Sequence, residues 1–185
     1  MSKLSVFNFI TLNGFYKGED GDISWNSHSE EENQYSEDSL KAGNILLFGR
    51  VTYEMMAGYW PTPMAMENAP VVATGMNRSE KIVFSRKLKE ATWEHTRIIN
   101  GDMIEEVKKL KKQAHKNMTI LGSGSIVTQL AEHNLIDEYL VMIYPVAISN
   151  GTPLFNGIKH QLNFKLENTR DFKSGSVLLT YVPKH

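Results

Sequence analysis

The sequence predicts an α/β protein: a three-layer sandwich whose central mixed sheet is mostly parallel and ends in a C-terminal antiparallel hairpin. Three observations predict it. Short apolar runs of strand length alternate with segments of helical periodicity as far as residue 145. Beyond that point only strand-like segments remain. A strand, a glycine turn and a helix also follow one another directly in two places, at 45–54 and at 118–133.

Lys3 to Thr11 carries Leu4, Val6, Phe7, Phe9 and Ile10 and reads as a strand closed by the turn pair Asn13-Gly14. Lys17 to Trp25 is polar and glycine-rich, a surface loop long enough to cover a site. Ser29 and Glu32 have capping-box spacing, so a helix is expected to about Ala42, stopped by Gly43-Asn44. Ile45 to Phe48 is a continuous apolar strand, and Gly49-Arg50-Val51-Thr52-Tyr53-Glu54 opens a helix that Trp60-Pro61-Thr62-Pro63 stops. A short helix starts at Asn68-Ala69-Pro70 and runs out near Gly75.

Lys81 to Phe84 reads as a strand ending in Ser85-Arg86, and Thr96 to Asn100 as a brief one. Gly101-Asp102 then caps a helix with Met103, Val107, Leu110 and Ala114 on one face, while Lys108, Lys109, Lys111 and Lys112 read as its solvated side. Met118 to Leu121 is a buried strand, Gly122-Ser123-Gly124-Ser125 a turn, and Ile126, Val127, Leu130 and Ala131 one helix face. Tyr139 to Val146 is apolar on both faces, as a central strand requires. A loop at 149–153 follows, and Phe164, Leu166, Val177, Leu179 and Tyr181 mark two alternating strands joined near Lys173 to Gly175.

Composition excludes several functions. The 185 residues are 41% hydrophobic, which suits a single domain over 1–185 with an ample core. A formal charge of −1 with scattered basic residues gives neither a clustered nucleic-acid footprint nor a membrane-binding patch. The absence of cysteine excludes disulfides, zinc-thiolate sites and thiol nucleophiles. The six histidines are dispersed without ligand spacing, so no metal site is expected and none takes a catalytic role. With no signal-peptide pattern and no apolar stretch of about 20 residues, a cytoplasmic protein is expected.

The chemistry lies at strand ends. A glycine turn at a helix start leaves backbone N–H groups unpaired at the positive end of the helix dipole and lets a ligand approach the backbone closely. Arg50, Thr52, Ser85 and Arg86 add cations and hydroxyls at two further strand ends. In an open α/β sheet such ends converge on one ligand, here an extended one with several phosphates. The turn lacks the third glycine of a Rossmann fingerprint, and no lysine follows it as in a P-loop.

These residues also carry a resemblance. Thr11-Leu12-Asn13-Gly14, Gly49-Arg50-Val51-Thr52-Tyr53-Glu54 with Trp60-Pro61, Ser85-Arg86, Gly122-Ser123-Gly124, Leu135-Ile136-Asp137-Glu138, Pro145-Val146 and Gly151-Thr152-Pro153-Leu154-Phe155 span nearly the whole chain. In that order they resemble the dihydrofolate-reductase-like superfamily, in the branch of the reductase domain of the bifunctional riboflavin-biosynthesis deaminase-reductase. The resemblance implies an NADPH-dependent reductase of a small pterin- or pyrimidine-like heterocycle or carbonyl compound, and a homodimer joined through Leu162 to Val182. It places Gly49, Arg50 and Thr52 at cofactor phosphates, Ser85 and Arg86 at the adenosine-side 2′-phosphate, and Gly122, Ser123, Gly124 and Ser125 at the pyrophosphate. Asn13, Asp22, Trp25 and Trp60 are the candidates for the substrate pocket. Asn13 stands where that branch has an aspartate, which motivates an alternative reading as a dinucleotide-binding protein without efficient catalysis. Glu31, Glu32 and Asp38 on the first helix are expected to be solvated.

Overall fold

The computed structural model describes residues 1–113 and 115–184; Ala114 and His185, named above, lie outside the described residues. The elements are β1 (Leu4–Thr11), β2 (Phe15–Gly18), α1 (Glu30–Lys41), β3 (Ile45–Gly49), α2 (Arg50–Tyr59), α3 (Pro63–Asn68), α4 (Pro70–Arg78), β4 (Lys81–Phe84) and β5 (Thr96–Ile99). They continue with α5 (Met103–Gln113), β6 (Met118–Leu121), α6 (Gly124–Glu132), β7 (Glu138–Tyr144), β8 (Gly151–Pro153), β9 (Phe164–Asp171) and β10 (Val177–Pro183).

Eight strands form one sheet in the order β5-β4-β3-β6-β1-β7-β10-β9. Neighbours from β5 to β7 are parallel, whereas β10 runs antiparallel to β7 and to β9. This is the expected α/β architecture. The chain leaves β1 for β3 and the strands beyond it, then returns to insert β6 between β3 and β1. That reversal aligns the carboxyl ends of β4, β3, β6 and β1 along one edge, where a crevice forms.

Alternation along β1 separates the two faces. Leu4 and Val6 meet Ile120, Val107 of α5 and Val127 and Leu130 of α6. Phe7 and Phe9 point the other way, toward Tyr35 of α1 and the buried Met142 and Tyr144. On that second face Leu46, Phe48 and Val83 pack with Tyr53 of α2, Val72 and Met76 of α4, and Trp93.

The structure departs from the sequence expectations at several elements. The prolines that stop α2 also start α3: Thr62 Oγ1 accepts the Ala65 N–H at 3.3 Å and Pro63 occupies the first helical position. Gly75 does not end α4, which continues to Arg78. A Cβ there would lie 3.0 Å from Leu40 of α1, so the glycine permits helix contact. The stretch expected as a loop from Lys17 begins in β2, continues in a 3-10 turn at Glu19–Gly21, and pairs with β8, itself part of an expected loop.

Two solvated assignments are also corrected. Lys111 turns back from its helix face, donating to Asp137 at 2.6 Å and to the Leu135 carbonyl at 2.8 Å. Glu32 is fully buried: it accepts the Ser29 N–H and the hydroxyls of Ser174 and Ser176, fastening the start of α1 to the β9–β10 turn.

Candidate active site

Two glycine turns are built as one unit. Gly122 and Ser123 both have left-handed backbone, with φ of 57° and 56°, which turns the chain sharply from β6 into α6. Ser123 Oγ accepts the Gly49 N–H at 2.9 Å and donates to the Leu121 carbonyl at 3.0 Å. The Ser123 N–H in turn donates to Thr52 Oγ1 at 3.2 Å, so the β6–α6 and β3–α2 turns hold each other. Asn8, buried on β1, donates Nδ2 to the Gly122 carbonyl at 3.1 Å. The N–H groups of Gly124 and Ser125, at the start of α6, have no intrahelical partner.

These turns form one wall of a cleft of about 1670 Å³ along the carboxyl edge of the sheet. One arm follows the strand ends past Gly49, Arg50, Thr52, Ser85, Arg86 and Gly122 to Ser125. The other passes between α1 and the sheet, walled by Phe7, Phe9, Tyr35, Leu40, Met56 and Trp60. Lys17 and Ile23, from the segment read as a covering loop, border the cleft.

All nine residues expected at cofactor phosphates therefore line one arm, but their side chains differ in what they offer. Arg50 pairs with Glu54 at 2.7 Å, half-exposed on both sides, so a stronger anion can draw it away. Arg86 has no ion-pair partner among the described residues. Ser85 Oγ accepts the N–H groups of Lys87 and Leu88 at 3.1 and 2.9 Å, a local turn bond that fixes Arg86 between them. Ser123 and Thr52 spend their oxygens on each other's turns, which makes them organisers of the loop.

Of the four substrate candidates only Trp60 lines the cleft. Asn13 is used elsewhere: Oδ1 accepts from the Thr11 hydroxyl at 2.8 Å and the Ile148 N–H at 3.3 Å, while Nδ2 donates to the Ile148 carbonyl at 2.8 Å. Asp22 accepts the Ser24 N–H and hydroxyl, bonds that hold its carboxyl below the usual range. Trp25 packs edge-on against Tyr144 with centroids 5.9 Å apart and does not reach the cleft.

Sequence reasoning missed Asn8, Tyr16, His28 and Tyr35, all of which line the cleft. Tyr16 lies over the glycine turn, where a Cβ on Gly124 would approach its ring to 2.8 Å. His28 Nδ1 sits 3.2 Å from the Tyr144 hydroxyl, and its ring meets Phe9 edge-on at 4.8 Å. Neither residue belongs to a motif, so nothing in the sequence marked them.

The model of the RibD C-terminal domain matches residues 2–178. The chain belongs to the RibD C-terminal domain family. The Bacillus subtilis protein YyaP is 31% identical to this RibD-family chain over 93% of it and 90% of YyaP, and YwjB of the same organism is 28% identical over 97% of each. Among solved structures, a putative riboflavin biosynthesis protein of Shewanella sp. PV-4 superposes with a TM-score of 0.76 at 18% identity, covering 99% of both chains. The Enterococcus faecalis dihydrofolate reductase complexed with NADP(H) superposes with a TM-score of 0.66 at 17% identity, over 99% of this chain and 97% of that one. The Thermotoga maritima deaminase/5-amino-6-(5-phosphoribosylamino)uracil reductase gives 0.70 at 14% identity; this chain covers 99% of itself but 57% of that longer protein. At these identities the structural likenesses establish the dihydrofolate-reductase-like fold.

Proposed function

We propose that this RibD-family chain is an NADPH-dependent reductase that transfers a hydride to a small pterin- or pyrimidine-like heterocycle or carbonyl compound. The observation that carries the proposal is the pair of glycine turns locked by Ser123, in which the Gly124 and Ser125 N–H groups have no intrahelical partner, on a wall of the cleft that Arg50 and Arg86 also line. A Cβ on Gly122 would come within 3.0 Å of Thr52 Cγ2, so the turn that an anion would approach has no room for a side chain. A dinucleotide with several phosphates fits this donor set.

In this reading the backbone from Gly122 to Ser125 holds the pyrophosphate, with Gly49, Arg50 and Thr52 beside it and Ser85 presenting Arg86 to the 2′-phosphate. The bound dihydronicotinamide supplies the hydride. The protein supplies position and a dry, aromatic neighbouring arm. The relatives support the cofactor class, since the Enterococcus faecalis reductase of the same fold is complexed with NADP(H). A homodimer through the C-terminal strands completes the proposal, because β9 is an exposed edge strand.

Calorimetric titration with NADPH and NADH tests the cofactor assignment. Wild-type protein is expected to prefer NADPH, and Arg86→Ala to lose about tenfold in NADPH affinity while NADH affinity stays unchanged. Failure to bind either nucleotide would refute the reductase reading. Stoichiometric binding without turnover of any pteridine or pyrimidine would favour the non-catalytic alternative, which the engaged Asn13 side chain motivates.

A further inference from the structure

We infer that the arm of the cleft beneath α1 takes a flat, uncharged ring bearing a carbonyl group, to which His28 donates a hydrogen bond, and that it disfavours the same ring carrying a phosphate. The inference rests on the reductase reading, because it names the substrate class of that site.

Charge in the cleft is distributed unevenly. Among the described residues that line it, the cations are Lys17, Arg50 and Arg86. Arg50 begins α2 directly after the Gly49 turn, and Arg86 lies just beyond β4. Lys17 lies 5.5 Å from the centroid of Tyr16, the ring that packs on Gly124. All three therefore belong to the arm of the glycine turns. The α1 arm carries no lining lysine or arginine and instead carries Glu138, in register with Ser5 at the start of β7. Arg170 stacks on Tyr35 at 5.5 Å and Phe172 at 4.7 Å but does not line the cleft. A phosphate entering that arm would lose its water, face a carboxylate and gain no cation. A neutral ring loses little and stacks on Phe7, Phe9, Tyr35 and Trp60.

His28 supplies direction within this apolar space. Tyr144 is buried, and both burial and the Glu32 charge push its phenol up, so the hydroxyl keeps its hydrogen. His28 is exposed toward the cleft, and the partial desolvation of its ring lowers it from its ordinary value against the opposing charge of Glu32, which favours the neutral imidazole. In the arrangement that satisfies both groups, the Tyr144 O–H donates to Nδ1, which leaves the ring hydrogen on Nε2. Nε2 has no partner among the described residues, on a side chain that lines the cleft. It is a fixed donor suited to a carbonyl oxygen.

Calorimetry with a matched pair tests the inference: 5,6-diaminouracil against 5-amino-6-(5-phosphoribosylamino)uracil, with lumazine as a wider neutral ring, each with and without NADPH. Wild-type protein is expected to bind the neutral rings at least tenfold more tightly than the phosphoribosyl compound. His28→Phe, which keeps the stacking surface, is expected to weaken neutral-ring binding about tenfold and leave the NADPH affinity unchanged. Tighter binding of the phosphoribosyl compound would overturn the inference, as would a folded His28→Phe protein that binds the neutral rings as wild type does. The wild-type comparison needs no variant and decides the charge argument even if His28→Phe fails to fold. Ring binding without any nucleotide binding would sink the reductase reading and leave this site standing.

Discussion

Replacing Glu32 measures how much one buried carboxylate contributes to this fold. Its side chain has no solvent exposure and accepts three hydrogen bonds, from the Ser29 N–H and from the hydroxyls of Ser174 and Ser176. Ser176 is fully buried, Ser29 half-buried and Ser174 exposed, so water can replace the carboxylate fully only at Ser174. A buried donor left unpaired costs about 1–3 kcal/mol, and bonds to a charged acceptor contribute at the upper end of the usual range. Counting Ser176 in full and Ser29 in part, Glu32→Ala is expected to destabilise the protein by about 3 kcal/mol. Glu32→Gln keeps one carbonyl acceptor and should cost about half as much.

The acid dependence gives an independent check on the same residue. Burial raises the Glu32 carboxyl, but the bonds from Ser176, Ser29 and Ser174 outweigh it and hold the group below its ordinary value of 4.5. A carboxylate with a depressed folded pKa stabilises the protein fully above the unfolded value, and that stability is lost as pH falls through the folded value. Urea melts at pH 7 and at pH 3 should therefore show the gap between wild type and Glu32→Gln narrowing in acid. Glu30→Gln serves as control, since Glu30 is exposed and makes no side-chain hydrogen bond or ion pair among the described residues. A loss below about 0.5 kcal/mol for Glu32→Ala at pH 7 would refute the argument, because it would place the residue among ordinary surface positions.

Other perturbations probe the remaining structure. Gly122→Ala forces a left-handed backbone on a residue with a Cβ, at about 1–2 kcal/mol, and presses on Thr52; a thermal melt should fall and NADPH affinity drop roughly tenfold. Lys81 donates to the carbonyls of Met76, Asn77 and Ser79 at the end of α4, and burial pulls its ammonium down to about 8 from 10.5 against the charge of Glu94. Because the folded value lies below the unfolded one, stability should rise between about pH 8 and 10.5, and urea melts of Lys81→Met should lack that rise. If β9 joins two copies, sedimentation should show a species of twice the chain mass, and Leu166→Glu, on a residue 48% exposed, should return it to monomer.

The sequence by itself determined most of the elements and their order, though not β2, α3 or β8. Apolar runs such as Ile45 to Phe48 and the amphipathic face of α6 are local patterns, dictated by the period of the backbone, and they fall where the strands and helices do. It determined the two glycine turns for the same reason, since left-handed geometry at Gly122 is a requirement on one residue. Tertiary structure decided which side chains converge. The pairing of β1 with β6 and β7, residues more than a hundred apart, places Asn8 under Gly122 and His28 beside Tyr144. It also spends Asn13 on the Ile148 backbone, turns Trp25 onto Tyr144 and buries Glu32 under the β9–β10 turn. A carboxylate on a short acidic helix reads as solvated until a segment 142 residues away covers it. Burial is a property of what packs against a residue, and no local pattern around Glu32 carries that information.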